Sequence, residues 1–340
     1  MMYLWDISHR CLRGRMYVEE TASPRSFPRT KVFHHSCFAM NTRFSMVLVG
    51  IETERAEALA AAAEHDLRAC ERMMSRFDAE SPVSNLNCHA AETAIQAPEG
   101  LWEILSLCRD YWKRTRGGFD ITLWPLNHLW REHSGRREEP TRKAINLARR
   151  QTGFERLQFD ETAHTVRFQS KGMSIDLGGF GKGFALERLA GNLRTQGVER
   201  AFLSFGESSI TVLGSHPQGP KWPVGIVNMF QPSDTVHTFH IQNASLSSSG
   251  TAPFNRMEGQ KVFGQIIDPR NGRPIEGYRT LSVASPSGIE AEILSTALLV
   301  TPERDRAALL SGFSTVSAVE IVYRAKAGKF VPCIEWEYGI

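Results

Sequence analysis

Apolar residues along this chain recur with two different periods. Leu59, Ala62, Ala63, Leu67 and Cys70 fall at helical spacing and predict a long Ala-rich helix over Glu54 to Phe77. The same period predicts helices over Leu101 to Thr115, closed by Gly117-Gly118, and over Phe184 to Gln196, with Leu186, Leu189, Ala190 and Leu193 on one face. Another helix is expected over Ile289 to Leu299. Shorter β-rich runs predict strands: one element over His35 to Gly50, a hairpin from Leu157–Phe159 and Thr165–Phe168, and Met173 to Leu177. Further strands are expected over Ala201–Phe205, Ile210–Leu213, Trp222–Asn228, Val236–Ile241, Phe263–Ile267, Thr280–Ala284, Ser317–Tyr323 and Phe330–Tyr338. Helices and strands mix without strict βαβ alternation, so the fold class is α+β. Residues 1–34 read as an irregular extension, and residues 35–340 as the folded domain.

Composition narrows the functions open to this chain. In 340 residues, Lys+Arg 40 against Asp+Glu 37 gives +3, too balanced for binding nucleic acid by bulk charge. Hydrophobic residues at 41% exclude disorder as the main state. The longest uncharged apolar run, around Met46 to Ile51, is far short of the roughly 20 residues of a membrane span. Asp6, His9 and Arg10 interrupt the apolar Met1–Trp5 start, so no signal peptide is legible. The expected location is cytoplasmic as written, and exported if the true start lies upstream. Six cysteines without a C-x-x-C pair read as buried thiols. The basic stretch from Arg131 to Arg150 reads as a solvated helix face, with a small partner-docking patch as the alternative.

Four segments carry candidate chemistry. Ser174 to Gly183 (SIDLGGFGKG) runs from an expected strand through a glycine cluster and Lys182 into a helix. Glycines let backbone N–H groups approach a phosphate, and Lys182 adds a point charge. It is not a Walker A loop, because Gly183 stands where a hydroxyl is needed; a tight turn with an exposed lysine fits equally well. Glu292 and Thr296, at i and i+4, place two oxygens on one helix face, which is either a partial shell for Mg²⁺ or simply a surface Glu beside a helix-packing Thr. Asp120, in GGFDITLWPLNHLW, either caps a loop or receives the N–H groups of a heterocycle. IIDPRNGRP, from Ile266, ends a strand in a turn.

Taken in order, these segments resemble the ApbE family, Mg²⁺-dependent FAD:protein FMN transferases. The resemblance spans about Cys37 to Val300 and rests on AMNTRFSMVL, RFDAESPVSNLN, GGFDITLWPLNHLW, IDLGGFGKGFALERLA, SSSG at Ser247, IIDPRNGRP and AEILSTALLV. It implies a mixed α/β architecture with largely antiparallel sheets and packed helices, related to the T-fold. It also implies an FAD site lined by Met40, Phe77, Gly118, Phe119, Asp120, Asp176, Lys182 and Ile266. The Mg²⁺ shell would be the Gly179 carbonyl with the side chains of Glu292 and Thr296. The implied reaction joins FMN to a Thr or Ser hydroxyl of an acceptor protein and releases AMP. No catalytic residue is assigned by the resemblance.

The chain departs from the family pattern at several positions. Glu292 stands for a usual Asp, Gln265 for a usual His, Glu207 lies in place of a usual Gly-Gly-Asp segment, and Phe77 and Phe184 replace tyrosines. Two alternatives to the transferase therefore stay open: a non-catalytic FAD-binding protein on the same scaffold, and an Mg²⁺-dependent FAD pyrophosphatase.

Overall fold

The computed structural model describes residues 2–3, 31–136, 138–251, 263–313 and 316–339. Its strands are β1 (Met2–Tyr3), β2 (Val32–Ala39), β3 (Thr42–Val49), β4 (Ile95–Gln96), β5 (Leu157–Asp160), β6 (Thr165–Phe168), β7 (Ala201–Phe205) and β8 (Ser209–Leu213). They continue as β9 (Trp222–Asn228), β10 (Gln231–Ile241), β11 (Ala244–Gly250), β12 (Phe263–Asp268), β13 (Arg273–Glu276), β14 (Tyr278–Ser285), β15 (Ser317–Lys326) and β16 (Lys329–Tyr338). The helices are α1 (Thr53–Met74), α2 (Pro82–His89), α3 (Glu99–Arg114), α4 (Trp124–Arg136), α5 (Arg142–Arg149), α6 (Gly181–Thr195), α7 (Gly288–Val300) and α8 (Glu303–Leu310).

Eight strands form one antiparallel sheet in the order β16-β15-β14-β11-β8-β7-β3-β2. Side chains of successive strand residues point to opposite faces, and here both faces are covered. Phe44, Met46, Leu203, Phe205, Leu281 and Val283 enter a core with α1, α6 and α7. Phe202, Ile210, Val212, Leu246, Val319 and Ile321 enter a second core under β9 and β10. Coverage on both sides explains why β7 and β8 are buried throughout. The arrangement is α+β with antiparallel sheets and packed helices, as expected.

Three local readings change. The element expected over His35–Gly50 is a hairpin, with Met40 and Asn41 both at positive φ (51° and 61°) between the paired Ala39 and Thr42. Two such residues make the mirror-image turn that matches strand twist. Strand β2 begins at Val32; the residues before it, 4–30, lie outside the described ones, Cys11 included. Met173–Leu177 is irregular, and Asn87 clamps it: its Nδ2 donates to the Ile175 carbonyl (3.0 Å) and its Oδ1 accepts from the Ile175 amide (2.7 Å). A side chain therefore satisfies the backbone in place of a neighbouring strand.

In α1 the buried face is Ala56, Leu59, Ala60, Ala63, Leu67, Cys70 and Met74, while Ala62 is exposed. Helix α6 starts at Gly181, ahead of the expected Phe184. Between Arg131 and Arg150, α5 buries only Ile145 and Ala148 and leaves its basic residues in water, as a solvated face should. Among the described cysteines, Cys70 and Cys108 are buried, but Cys88 is exposed. No helix among the described residues is long and apolar enough to cross a membrane.

Helices α6 and α7 cross where Gly183 meets Gly288. A Cβ on Gly183 would lie 2.4 Å from the Gly288 carbonyl oxygen and 2.7 Å from Glu292 Cβ. Only glycine permits that approach, and it sets the neighbouring Lys182 beside Glu292.

Candidate active site

Glu292 is 5% exposed, on a helix buried on nearly every side. A buried carboxylate requires compensation, and three side chains supply it. Lys182 Nζ donates to Oε1, while Ser209 Oγ (2.6 Å) and Ser247 Oγ (2.9 Å) donate to Oε2. Lys182 also reaches Ser209 Oγ at 2.8 Å. Each partner comes from a different element: α6, β8 and β11. Ser247 and Ser249, two apart on β11, share the face toward α7. Ser249 Oγ lies 2.8 Å from Ser295 Oγ and 2.9 Å from Thr296 Oγ1, and Ser247 Oγ lies 3.4 Å from Ser295 Oγ. A chain of hydroxyls thus connects Glu292 to Thr296 along the helix.

Lys182 is not the free cation that the glycine-rich segment suggested; its ammonium is engaged by Glu292. The turn before it is open. Phe180 and Gly181 amides both bond the Leu177 carbonyl (3.0 and 2.8 Å), and a Cβ on Gly179 would meet nothing within 4 Å. Asp176 steadies this turn by accepting from the Gly178 amide (2.7 Å), and its own amide donates to the Ile121 carbonyl (2.7 Å).

A second cluster lies at the other end of the same segment. Arg76 Nη1 is 3.7 Å from Asp176 Oδ2, and its guanidinium sits 3.3 Å from the Trp124 ring centroid and 5.7 Å from that of Phe77. Phe77 is 79% exposed and meets Trp124 edge-on at 6.2 Å. Planar cations and aromatic faces attract each other, so these residues form a half-buried platform whose exposed member, Phe77, can stack on a flat ring. Burial presses the Arg76 pKa down, and Asp176 opposes that shift. Sequence reasoning named Phe77 and Asp176 but missed Arg76 and Trp124, although both sit inside the segments that it quoted.

The remaining candidates surround these clusters. Met40 donates its amide to Glu71 Oε1 (3.1 Å) and brings its Cε to Gly181, 2.9 Å from where a Cβ would stand. Gly118 lies against Ala297 of α7, and Phe119 is buried in the core. Ile266, on β12, is partly buried against that core. Asp120 takes the loop-capping option: Oδ1 accepts from the Thr122 amide (2.7 Å) and hydroxyl (2.6 Å), and Oδ2 from the Phe154 amide (3.1 Å). Burial pushes its pKa up to about 6, against the pull of those hydrogen bonds. The structure therefore brings Lys182, Glu292 and Thr296 into one network and Phe77 and Asp176 into another. Asp120 acts as the organiser of a loop between them.

Ser209 also went unread, yet a signal exists: Ser209, Thr211 and Ser245 put hydroxyls where two paired strands face buried helices, and Thr211 Oγ1 meets Ser245 Oγ at 2.8 Å. Polar residues at buried positions of central strands need partners, and a buried carboxylate is one.

Residues 40–319 match the sequence pattern of the ApbE family. A Klebsiella pneumoniae (strain 342) protein named FAD:protein FMN transferase is 28% identical over 274 residues, covering 78% of this chain and 77% of its own. A Salmonella typhimurium protein of the same name is 28% identical over 270 residues, 77% of this chain and 76% of its own. The fold superposes on the flavinyl transferase ApbE of Pseudomonas stutzeri, apo form, with a TM-score of 0.76 and 23% identity, over 91% of this chain and 96% of that one. The flavin transferase ApbE from Vibrio cholerae gives 0.73 at 22% identity, over 90% and 97%.

Proposed function

Because the chain belongs to the ApbE family, we propose that it is an FAD:protein FMN transferase whose reaction is carried at the Lys182–Glu292–Thr296 network. An acceptor hydroxyl oxygen attacks the FMN-side phosphorus of FAD and the bridging P–O bond breaks. AMP leaves with the bridging oxygen, and the hydroxyl proton is released. FAD is the substrate, and the acceptor is a protein bearing a Ser or Thr hydroxyl.

The observation that carries this reading is the buried Glu292 carboxylate, held by one lysine and two rotatable hydroxyls beside the open turn at Gly179. The Glu292 carboxylate, Thr296 hydroxyl and Gly179 carbonyl would make an oxygen-only donor set, a chemistry that suits Mg²⁺. When bound, Mg²⁺ would neutralise charge on the pyrophosphate. Glu292 and Thr296 would hold the metal, while Lys182 exchanges its carboxylate partner for a phosphate oxygen. The Arg76–Phe77–Trp124 platform would receive the flat flavin ring, and Asp176 keeps the glycine turn in shape below it. Met40, Gly118, Phe119 and Ile266 supply apolar walls, with Asp120 fixing the loop that bears Phe119.

The test is incubation with FAD, Mg²⁺ and candidate acceptor polypeptides carrying Ser or Thr, read by mass spectrometry. A stable mass increase of the FMN moiety on an acceptor, with AMP released in equal amount, is the expected result. AMP with free FMN would favour the pyrophosphatase reading, and FAD binding without AMP the non-catalytic one.

A further inference from the structure

His35 and Cys37 stand two apart on the edge strand β2, so their side chains share one face. That face meets Glu64 of α1. The imidazole, thiol and carboxylate ligand atoms all lie within 4.8 Å of one another. His35 Nε2 is 2.8 Å from Glu64 Oε1, yet Nε2 is sealed from solvent and makes no well-directed hydrogen bond. A buried ring nitrogen left in that condition is costly.

We propose that His35, Cys37 and Glu64 form a transition-metal site, suited to Zn²⁺, that ties the edge strand β2 to helix α1. Mixed nitrogen, sulfur and oxygen ligands select zinc over Mg²⁺, so this site is chemically distinct from the oxygen-only set at Glu292. Three protein ligands leave a fourth position for water or an exogenous group. Ligand atoms around one zinc lie roughly 3.3–3.8 Å apart, given bonds of about 2.0–2.3 Å. The His35–Glu64 pair, at 2.8 Å, therefore opens by about half an ångström while the Cys37 thiol closes inward by about 1 Å, which rotamer changes on these partly exposed residues allow. Glu64 keeps its other oxygen toward Arg68 Nη2 at 3.7 Å, an outer contact that orients a ligating carboxylate. Burial, with Glu64 and Glu71, raises the Cys37 pKa against Arg68, so the thiol stays protonated without metal and releases its proton on binding.

The experiment titrates Co²⁺ and then Zn²⁺ into chelator-treated full-length protein without FAD or Mg²⁺. One equivalent of Co²⁺ is expected to give a thiolate-to-metal charge-transfer band, which Zn²⁺ abolishes by displacement. Cys37→Ser removes the band, and His35→Gln weakens affinity at least about tenfold. A second readout uses the unaltered chain: Zn²⁺ should slow alkylation of Cys37 by a thiol reagent at least about tenfold, leaving the exposed Cys88 unprotected. A band that survives Cys37→Ser, or alkylation of Cys37 at the same rate with and without Zn²⁺, overturns the proposal.

Discussion

Two buried glutamates in this protein are compensated in opposite ways. Glu320, on β15, is 1% exposed and sits between two guanidinium groups: Arg279 Nη1 at 3.1 Å from Oε1 and Arg306 Nη1 at 2.7 Å from Oε2. Arg306 is itself 3% exposed, and its Nε donates to the Thr301 carbonyl at 3.1 Å. Glu292 has one lysine and two serine hydroxyls. A guanidinium is a planar, permanently charged fork with a fixed geometry, whereas an ammonium and a hydroxyl swivel and exchange partners readily. The first arrangement locks α8 to the sheet. The second holds a charge in readiness while leaving its partners replaceable. Burial alone thus does not mark a functional carboxylate; the exchangeability of its partners does.

The sharpest contrast is expected from Glu320→Ala. It strands the buried Arg306 charge and should cost about 3–5 kcal/mol of stability, read as a fall in the urea midpoint, while FAD affinity of the folded fraction stays unchanged. An equal loss of FAD affinity would break the distinction between the two glutamates. Lys182→Ala removes a charge-assisted contact to a pyrophosphate, about 1.5–3 kcal/mol, and should raise the FAD Kd roughly 10- to 150-fold in a flavin fluorescence titration. The same variant should bind Mg²⁺ more tightly, since the ammonium no longer competes for Glu292. Unchanged affinity for both ligands would make Lys182 as fixed as Arg306.

Smaller effects follow. Gly183→Ala puts a methyl against the Gly288 carbonyl and should cost about 1–3 kcal/mol by overpacking, with a weakening of FAD binding because Lys182 moves off register with Glu292. Stability loss with intact FAD affinity would show that the crossing shapes the core alone. Asp120 tests a third carboxylate. Its folded pKa of about 6 lies above the ordinary 3.8, so the folded state binds more protons between those values and stability falls as pH rises from about 4 to 6. Asp120→Asn should flatten that part of the melting-temperature profile. A profile identical to that of the unaltered chain would remove Asp120 from the account.

Much of this organisation was legible in the sequence, for identifiable reasons. Helices α1, α3 and α6 pack one face on the core, so their apolar residues keep a helical period, and the two-sided burial of β7 and β8 leaves short apolar runs. Strand β11 escaped because ASLSSSG is polar, its serines serving the network around Glu292 and Thr296. Helix α2 also escaped, although Ser81 caps it by accepting from the Ser84 amide at 2.9 Å and Pro82 opens it. At the site, the i, i+4 pair Glu292 and Thr296 was readable from one helix. The Lys182–Glu292 pair was not: 110 residues separate its members, and only the Gly183–Gly288 crossing brings them together. Asp120 was readable as a choice between two roles, and its hydrogen bonds to Thr122 and Phe154 show the loop-capping one.

The central claim, that Glu292 belongs to the flavin chemistry, is tested most directly by the rate of AMP release from FAD. The assay compares the unaltered protein, Glu292→Ala and Glu292→Asp, each with Mg²⁺ and with Mn²⁺. The expected result is metal-dependent release by the unaltered chain, its loss in Glu292→Ala with the fold retained, and a faster rate in Glu292→Asp with Mg²⁺. AMP release that is indifferent to the metal, or that persists undiminished in Glu292→Ala, would contradict the account and make Glu292 a structural carboxylate of the same kind as Glu320.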